Sequence, residues 1–245
     1  MKSSRRVAVI IIALALIPLA LAEIRADAPA AEPVAREGIS SPASECPPTL
    51  ATLALVQGRY DTIGDLSAKF EQKTESMVFG GSLPAQEVSR GDVLFAKPGR
   101  MRWNYREPEA SAVISDGKTL WVHDIGAAQV TRIRLDEGYL AGAALQFLFG
   151  SGRLEGTFSA SISSCTAATV EVELEPREAA SYERLFVTAH RESGLVTATS
   201  IVDLFGNRTT ILLSGIAVNQ SPGSAEFEFA RPKGVELLDL SAGRP

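Results

Sequence analysis

The sequence predicts a mainly β (α+β) fold, in which one antiparallel, meandering sheet curls into a barrel or a sandwich. Apolar and polar residues alternate with a period of two over residues 101–106, 170–175 and 226–229, and residues 197–202 divide into two faces with the same period. Each run therefore presents one face to apolar material and the other to water, as strands of a half-buried sheet do. Turn-forming residues separate the runs at short intervals, which is typical of antiparallel sheets.

Three turn sequences predict where hairpins lie in this sheet. Glycine next to a small polar residue favours a tight turn, and such pairs stand between the alternating runs. The turns are Asp116-Gly117 between 112–115 and 119–123, Ser193-Gly194 between 184–190 and 195–202, and Gly206-Asn207 before 209–213.

Apolar residues recur at helical spacing in two places. The first is the segment that begins at Thr49 and continues through Leu50, Leu53 and Gln57, which predicts a helix that opens the domain. The second is 138–149, which has almost no polar face and ends before a helix-stopping glycine. Such a helix must be covered on most of its surface, so we expect either a permanent core element or a lid over a ligand cavity.

The N-terminal residues have to be set aside before any fold argument. Lys2, Arg5 and Arg6 precede an apolar run over 7–22, which ends in an Ala-Leu-Ala cleavage pattern. This combination predicts a secretory signal peptide over the first 22 residues. An uncleaved anchor is disfavoured because a membrane span needs about 20 apolar residues and Pro18 interrupts this run. No later stretch is apolar enough to span a bilayer, so we expect a soluble, exported protein.

Composition divides the rest of the chain into a leader and one domain. Residues 23–48 are rich in Ala, Pro, Ser and Glu, which cannot bury a core and predict a flexible leader. Residues 49–240 suit one domain. Without the signal peptide, 21 basic residues stand against 29 acidic ones, a net charge of about −8. That balance, without a cluster of Lys and Arg, argues against nucleic acid and against tight binding to anionic lipid surfaces.

Two cysteines, Cys46 and Cys165, remain in the mature chain. In an oxidising compartment they can pair, which would pin the end of the leader to the domain. Two independent thiols are equally compatible with the sequence. The residues that precede Cys46 do not resemble a lipobox, so we expect no lipid anchor at this position.

Residues that carry catalysis are sparse. His123 and His190 are the histidines of the chain, and His123-Asp124 is at most half of an acid–base pair. The sequence has no nucleophile elbow of the Gly-x-Ser-x-Gly type, and no Cys/His spacing suits structural zinc. The carboxylates at 171, 173 and 175 share one strand face, which is typical of a solvated surface rather than a cation site. We therefore expect no enzyme activity, no cofactor and no metal.

A series of short motifs resembles the family of outer-membrane lipoprotein carrier proteins, LolA and its relatives. No motif is specific alone, but their order and spacing over about residues 50–240 match the family. The early motifs are Phe70-x-Gln72, Gly91-Asp92-Val93-Leu94-Phe95 and Pro98 followed by Arg100, Arg102-Trp103, Tyr105 and Pro108. The later ones are the hairpin over 115–121, Asp203-x-x-Gly206-x-x-Thr209 and a closing strand, Phe227-x-Phe229-x-x-Pro232-x-Gly234-Val235.

The resemblance implies an incomplete antiparallel β-barrel with helices lidding an apolar hollow that takes up the acyl chains of lipoproteins. It implies a periplasmic monomer that receives cargo from an ATP-driven transporter in the inner membrane and delivers it to an outer-membrane acceptor. No cofactor or ATP site belongs to such a carrier. The alternative on the same fold is a periplasmic lipid sensor or regulatory binding module that signals through a membrane partner.

Three groups of side chains are predicted to serve this binding. The acyl-chain hollow is predicted to be lined or bordered by Phe95, Trp103, Tyr105, Leu120 and Trp121, although Trp103 and Trp121 face opposite sides if both strands are regular. The predicted lid consists of Tyr139, Leu140, Ala144, Phe147 and Leu148. Basic residues on one hairpin are either partner contacts at the mouth or ordinary surface charge, namely Lys97, Arg100, Arg102 and Arg106. Lys97 replaces the arginine that is frequent there in the family, and lysine lacks its planar fork.

Overall fold

The structure is a computed structural model that describes residues 45–76, 86–135 and 153–240. Within these residues it is mostly β, which confirms the predicted fold class. The helices are α1 (Thr49–Asp61) and α2 (Leu154–Thr157), with a 3-10 helix at Ser224–Phe227. The first six strands are β1 (Asp65–Glu75), β2 (Gln86–Ala96), β3 (Arg100–Glu107), β4 (Ser111–Asp116), β5 (Thr119–Asp124) and β6 (Gln129–Arg134). The other six are β7 (Phe158–Cys165), β8 (Thr169–Pro176), β9 (Tyr182–His190), β10 (Val196–Asp203), β11 (Arg208–Val218) and β12 (Glu236–Asp239).

The twelve strands form one sheet that does not close into a barrel, as the resemblance implied. Their spatial order is β12-β6-β5-β4-β3-β2-β1-β11-β10-β9-β8-β7. β1 therefore lies in the middle of the sheet, between the meander from β2 to β6 and the meander from β7 to β11. Every described pairing is antiparallel except that of β12 with β6, which is parallel. That last pairing departs from the predicted all-antiparallel meander.

The predicted hairpin at Asp116-Gly117 is confirmed, and its side chains explain the turn. Asp116 Oδ1 accepts hydrogen bonds from the backbone nitrogens of Lys118 and Thr119 at 2.8 and 2.7 Å. Gly117 has a φ of 94°, a left-handed conformation that a residue with a Cβ adopts at a cost. The turns at 193–194 and 206–207 also join the strands that the sequence predicted.

Helix α1 is confirmed and joins the two halves of the sheet. Its buried residues, which include Leu53, Val56 and Tyr60, belong to the main hydrophobic core. At its C-terminal end, Lys97 Nζ donates a hydrogen bond to the carbonyl oxygen of Tyr60. Just before its N-terminal end, Cys46 is joined to Cys165 of β7 by a disulfide, with a Cα–Cα distance of 5.8 Å. Of the two alternatives for the cysteines, the structure has the bonded one.

The strand predicted over 226–229 is wrong. Residues 224–227 form the 3-10 helix and 228–235 lie outside any strand, so the chain pairs again only in β12. Phe227 and Phe229 alternate with glutamates because this segment crosses the sheet surface and places its aromatic rings against the sheet. Phe227 packs under Arg100, and Phe229 contacts Trp121 and His123. A segment that packs on a sheet can therefore show the same period as a strand within it.

Candidate functional site

Strand register determines which side chains share a face of the sheet. Directly opposed residues point to the same side, and successive residues of a strand point to opposite sides. Trp103 is opposite Val93 and Val113, and Phe95 is opposite Met101. The face that carries these residues also carries the main hydrophobic core, to which Trp103 and Tyr105 pack as half-buried residues. We call it the inner face, and the opposite one the outer face.

Four rings form an aromatic cluster on the inner face: Phe70, Phe95, Trp103 and Tyr105. Phe70 makes edge-to-face contacts with Trp103 and Tyr105, with ring centroids 4.8 and 5.0 Å apart, and Phe95 lies 5.5 Å from Trp103. Gly91 creates the space for this cluster, since a Cβ there would lie 2.9 Å from the Phe70 ring and 1.9 Å from the Asn104 carbonyl oxygen. The sequence predicted three of these rings. Phe70 was noted only as a motif residue, although its place on the central strand makes it the ring that joins the others.

Among the described residues, the inner face is fully buried at one end and less buried toward the other. At the α1 end, Met101 is 0% exposed and Leu120 is 1% exposed. Further along β3, Trp103 and Tyr105 are only half-buried although they lie on the same face. Large aromatic side chains that remain partly uncovered beside a closed core are typical of apolar binding sites. Of the predicted hollow residues, the structure brings together Phe95, Trp103, Tyr105 and Leu120.

Two polar side chains lie among these apolar ones. The hydroxyl of Tyr105 donates a hydrogen bond to Oε1 of Gln72, with 3.0 Å between the oxygens, and Gln72 is 6% exposed. Burial raises the pKa of Tyr105 to about 12, so its hydroxyl keeps its proton at neutral pH. We call Gln72 and Tyr105 the polar pair.

Trp121 lies on the outer face, so the prediction that it borders the hollow requires correction. It is opposite Ile114 and Arg132 in register, and its ring lies 6.0 Å from that of Phe229. The sequence argument that Trp103 and Trp121 point to opposite sides is confirmed. The predicted lid residues, Tyr139, Leu140, Ala144, Phe147 and Leu148, lie outside the described residues.

The basic residues predicted at a mouth hold the fold together in the structure. Lys97 donates to the end of α1, as described above. Arg100 donates to the carbonyl oxygen of Lys97 at 3.1 Å, and its guanidinium lies 5.0 Å from the centroid of Phe227. Arg102 donates to the carbonyl oxygens of Glu226 and Glu228. These cations thereby attach α1 and the segment over 221–235 to the sheet, which local sequence spacing had no means to reveal.

Other candidate sites within the described residues are weak. The described residues contain no group of three or more His, Cys, Asp or Glu side chains that could hold a metal ion. None of their helices has the length and apolar character that a membrane span requires. A shallow cleft of about 290 Å³ is lined by polar and charged residues of the outer face, among them Lys69, Asp92 and Asn104. Apolar residues, among them Val93 and Leu94, complete the lining of this cleft.

Comparisons with known proteins identify the family of this chain. The family described as outer membrane lipoprotein carrier protein LolA matches residues 61–230. A relative from Bordetella avium is 29% identical over 192 residues, which is 77% of this chain and 90% of the relative. Another from Cupriavidus pinatubonensis is 30% identical over 193 residues, or 78% of this chain and 90% of the relative. Both are named outer-membrane lipoprotein carrier protein.

Among solved structures, a LolA superfamily protein from Nitrosomonas europaea is similar with a TM-score of 0.41 and 12% identity. The match covers 74% of this chain and 97% of that protein. Because the family match spans residues 61–230, more than half of the chain, the chain belongs to the LolA family of outer membrane lipoprotein carrier proteins.

Proposed function

We propose that this protein is a periplasmic carrier that binds the acyl chains of lipoproteins released from the inner membrane and delivers them to the outer membrane. The observation that supports the proposal is the aromatic cluster on the inner face of an open sheet, in which Trp103 and Tyr105 are only partly buried. An acyl chain needs an apolar surface of this kind and no catalytic group. The names of the curated relatives agree with this binding role.

A carrier must hold its cargo tightly enough to shield it and loosely enough to release it. Burying an acyl chain gains about 0.8 kcal/mol per methylene, so about fifteen methylenes gain about 12 kcal/mol when fully sheltered. That gain corresponds to roughly nanomolar affinity for one chain, before the cost of association. An open sheet whose inner face is fully buried at one end and less buried toward the other shelters the chain only in part, which lowers the affinity and favours handover. The apolar segment over 138–149 stays the predicted lid, and the proposal does not depend on it.

Handover requires two membrane partners in this proposal. An ATP-driven transporter in the inner membrane supplies the lipoprotein, and an acceptor at the outer membrane receives it. Export is supported by the predicted signal peptide over 1–22 and by the disulfide, which persists in oxidising compartments. Residues 23–48 are then a leader that ends close to the Cys46 anchor.

The two tryptophans provide a direct test because they lie on opposite faces of one sheet. Trp121→Phe leaves Trp103 as the reporter of the inner face, and Trp103→Phe leaves Trp121 as the matched reporter of the outer face. A fatty acid brominated along its chain should quench the fluorescence of Trp121→Phe strongly and that of Trp103→Phe weakly. Equal quenching of both variants, or none in a folded Trp121→Phe protein, would contradict binding at the inner face.

The native cargo is identified by purification without detergent. The secreted form should carry acylated lipoproteins that mass spectrometry detects. Stable copurification of a membrane-anchored regulator, without acylated protein, would instead favour the sensor.

A further inference from the structure

The polar pair stands where an apolar site would be expected to have apolar side chains. Gln72 is on the inner face of the central strand, where it is opposite Ser89 of β2 and Ile211 of β11. The aromatic cluster is next to it, through the ring of Tyr105. A buried amide in such surroundings lowers the stability of the fold unless its hydrogen-bonding groups are satisfied.

The hydrogen bonds of Gln72 are only half used within the described residues. Its Oε1 accepts the proton of Tyr105, while its Nε2 has no hydrogen-bond partner there. That nitrogen is not fully enclosed by protein atoms, although the residue as a whole is only 6% exposed. The bond from Tyr105 fixes the amide by its oxygen. The two N–H groups are therefore left as donors without an acceptor.

The neighbours of the polar pair make this end of the inner face more polar than the end at α1. Thr74 Oγ1 lies 3.4 Å from Thr209 Oγ1 beyond Gln72 on the same face, and Ser89 is beside it. The α1 end instead contains Leu66, Phe95 and other core residues. An elongated ligand with one apolar and one polar end fits this gradient in one direction, with its apolar tail toward α1.

We propose that the polar pair is a subsite for the carbonyl oxygen at the head of an acyl chain, in an ester or an amide linkage. Gln72 Nε2 donates to that oxygen, and Tyr105 is a positioning residue that orients the amide. The inference rests on the proposed function, since it assigns one atom of the proposed cargo to one atom of the protein. A carbonyl that leaves water without a new donor weakens binding, so an apolar face with one oriented donor favours acyl chains over plain hydrocarbon.

Matched lipids test this subsite. Dioctanoylglycerol carries two ester carbonyls, and dioctylglycerol has ether oxygens with chains of the same length and no carbonyl. Binding is titrated by the fluorescence of Trp103 in the Trp121→Phe protein. We expect the ester to bind about five- to tenfold more tightly, as one net hydrogen bond in a buried site provides. Gln72→Met keeps the size of the side chain and removes both donors, and it should abolish the preference while affinity for the ether stays unchanged.

Spectroscopy and controls separate this role from a structural one. The infrared carbonyl band of the bound ester should lie at lower frequency in the wild type than in Gln72→Met, with an intermediate position in Tyr105→Phe. Asn104→Leu changes the residue before Tyr105, which lies on the outer face. It should change neither the carbonyl band nor the preference for the ester. Equal affinity of the unmodified protein for ester and ether would overturn the subsite and leave the carrier intact. Failure to bind either lipid would overturn the carrier itself.

Discussion

The two faces of strands β3 to β5 both carry aromatic side chains, but these side chains have different neighbours. On the outer face, the half-buried Trp121 and His123 contact Phe229, and Arg102 holds the segment that carries Phe229 through its backbone carbonyls. On the inner face, Trp103 and Tyr105 remain half-buried. Within the described residues, the segment after β11 packs against the outer aromatic side chains, whereas the inner ones pack against one another and the hydrophobic core. Burial alone therefore does not distinguish the two faces, and the identity of the neighbouring side chains does.

The largest expected effect is on the outer face, at Phe227. This side chain is 1% exposed beneath Arg100, so Phe227→Ala leaves a cavity and should lower the free energy of unfolding by about 3–5 kcal/mol. Urea denaturation measures the loss. Leu212→Ala, at an exposed position of β11, is the control and should change stability by less than about 1 kcal/mol. Acyl-chain affinity of folded Phe227→Ala should stay unchanged, and a parallel loss of binding would contradict the separation of the faces.

The next largest effect is a loss of stability at alkaline pH. Burial raises the pKa values of Tyr60 and Tyr105 to about 12, above the ordinary value of 10.0. Between pH 10 and 12 the unfolded chain loses these protons while the folded protein keeps them, so stability is full below pH 10 and falls as the pH rises. Each tyrosine contributes at most about 3 kcal/mol to this fall. Urea denaturation at pH 9 and 11 should show a smaller fall in the free energy of unfolding for Tyr60→Phe and Tyr105→Phe than for the wild type. A fall as large as that of the wild type would contradict the raised pKa values of these tyrosines.

Trp103 should affect binding more than stability. Because its ring is half-buried, Trp103→Ala should lower the free energy of unfolding by about 1–2 kcal/mol, less than a fully buried aromatic ring. Acyl-chain affinity should fall at least about tenfold, since the ligand loses a large apolar contact. Displacement of a fluorescent fatty acid measures this, with Trp121→Ala as the matched variant on the outer face. A larger affinity loss in Trp121→Ala than in Trp103→Ala would reverse the assignment of the faces.

The smallest expected effect is at Arg102. Replacement by Met keeps most of its aliphatic length and removes the hydrogen bonds to Glu226 and Glu228, which should cost about 1–2 kcal/mol of stability. Hydrogen exchange should then become faster in 224–240 and stay unchanged in β1. Arg132→Met is the control, since its ion pair with Asp239 is exposed and contributes little. Hydrogen exchange that becomes faster to the same extent in all strands would show that Arg102 does not hold this segment.

Sequence patterns predicted the strands and hairpins well because both depend on neighbouring residues. Asp116-Gly117 contains the hydrogen bonds and the left-handed glycine of its own turn. The same local rule placed Trp103 and Trp121 on opposite sides. It did not assign a partner to Phe227 and Phe229, whose alternation reflects packing across a sheet that other segments form. Gln72 was noted as part of a motif, but its role depends on Tyr105, which is 33 positions away along the chain.

The sequence by itself therefore determined which residues share a face, where the chain turns, and that the protein belongs with the lipoprotein carriers. The period of a strand and the chemistry of a turn are local properties, and motif order can be read along the chain. Only the tertiary structure decided that β1 lies at the centre of the sheet, that Trp121 packs against Phe229 and that Trp103 packs against Phe70 and Phe95. Those outcomes depend on pairings between distant segments, above all on where the residues after β11 cross the sheet.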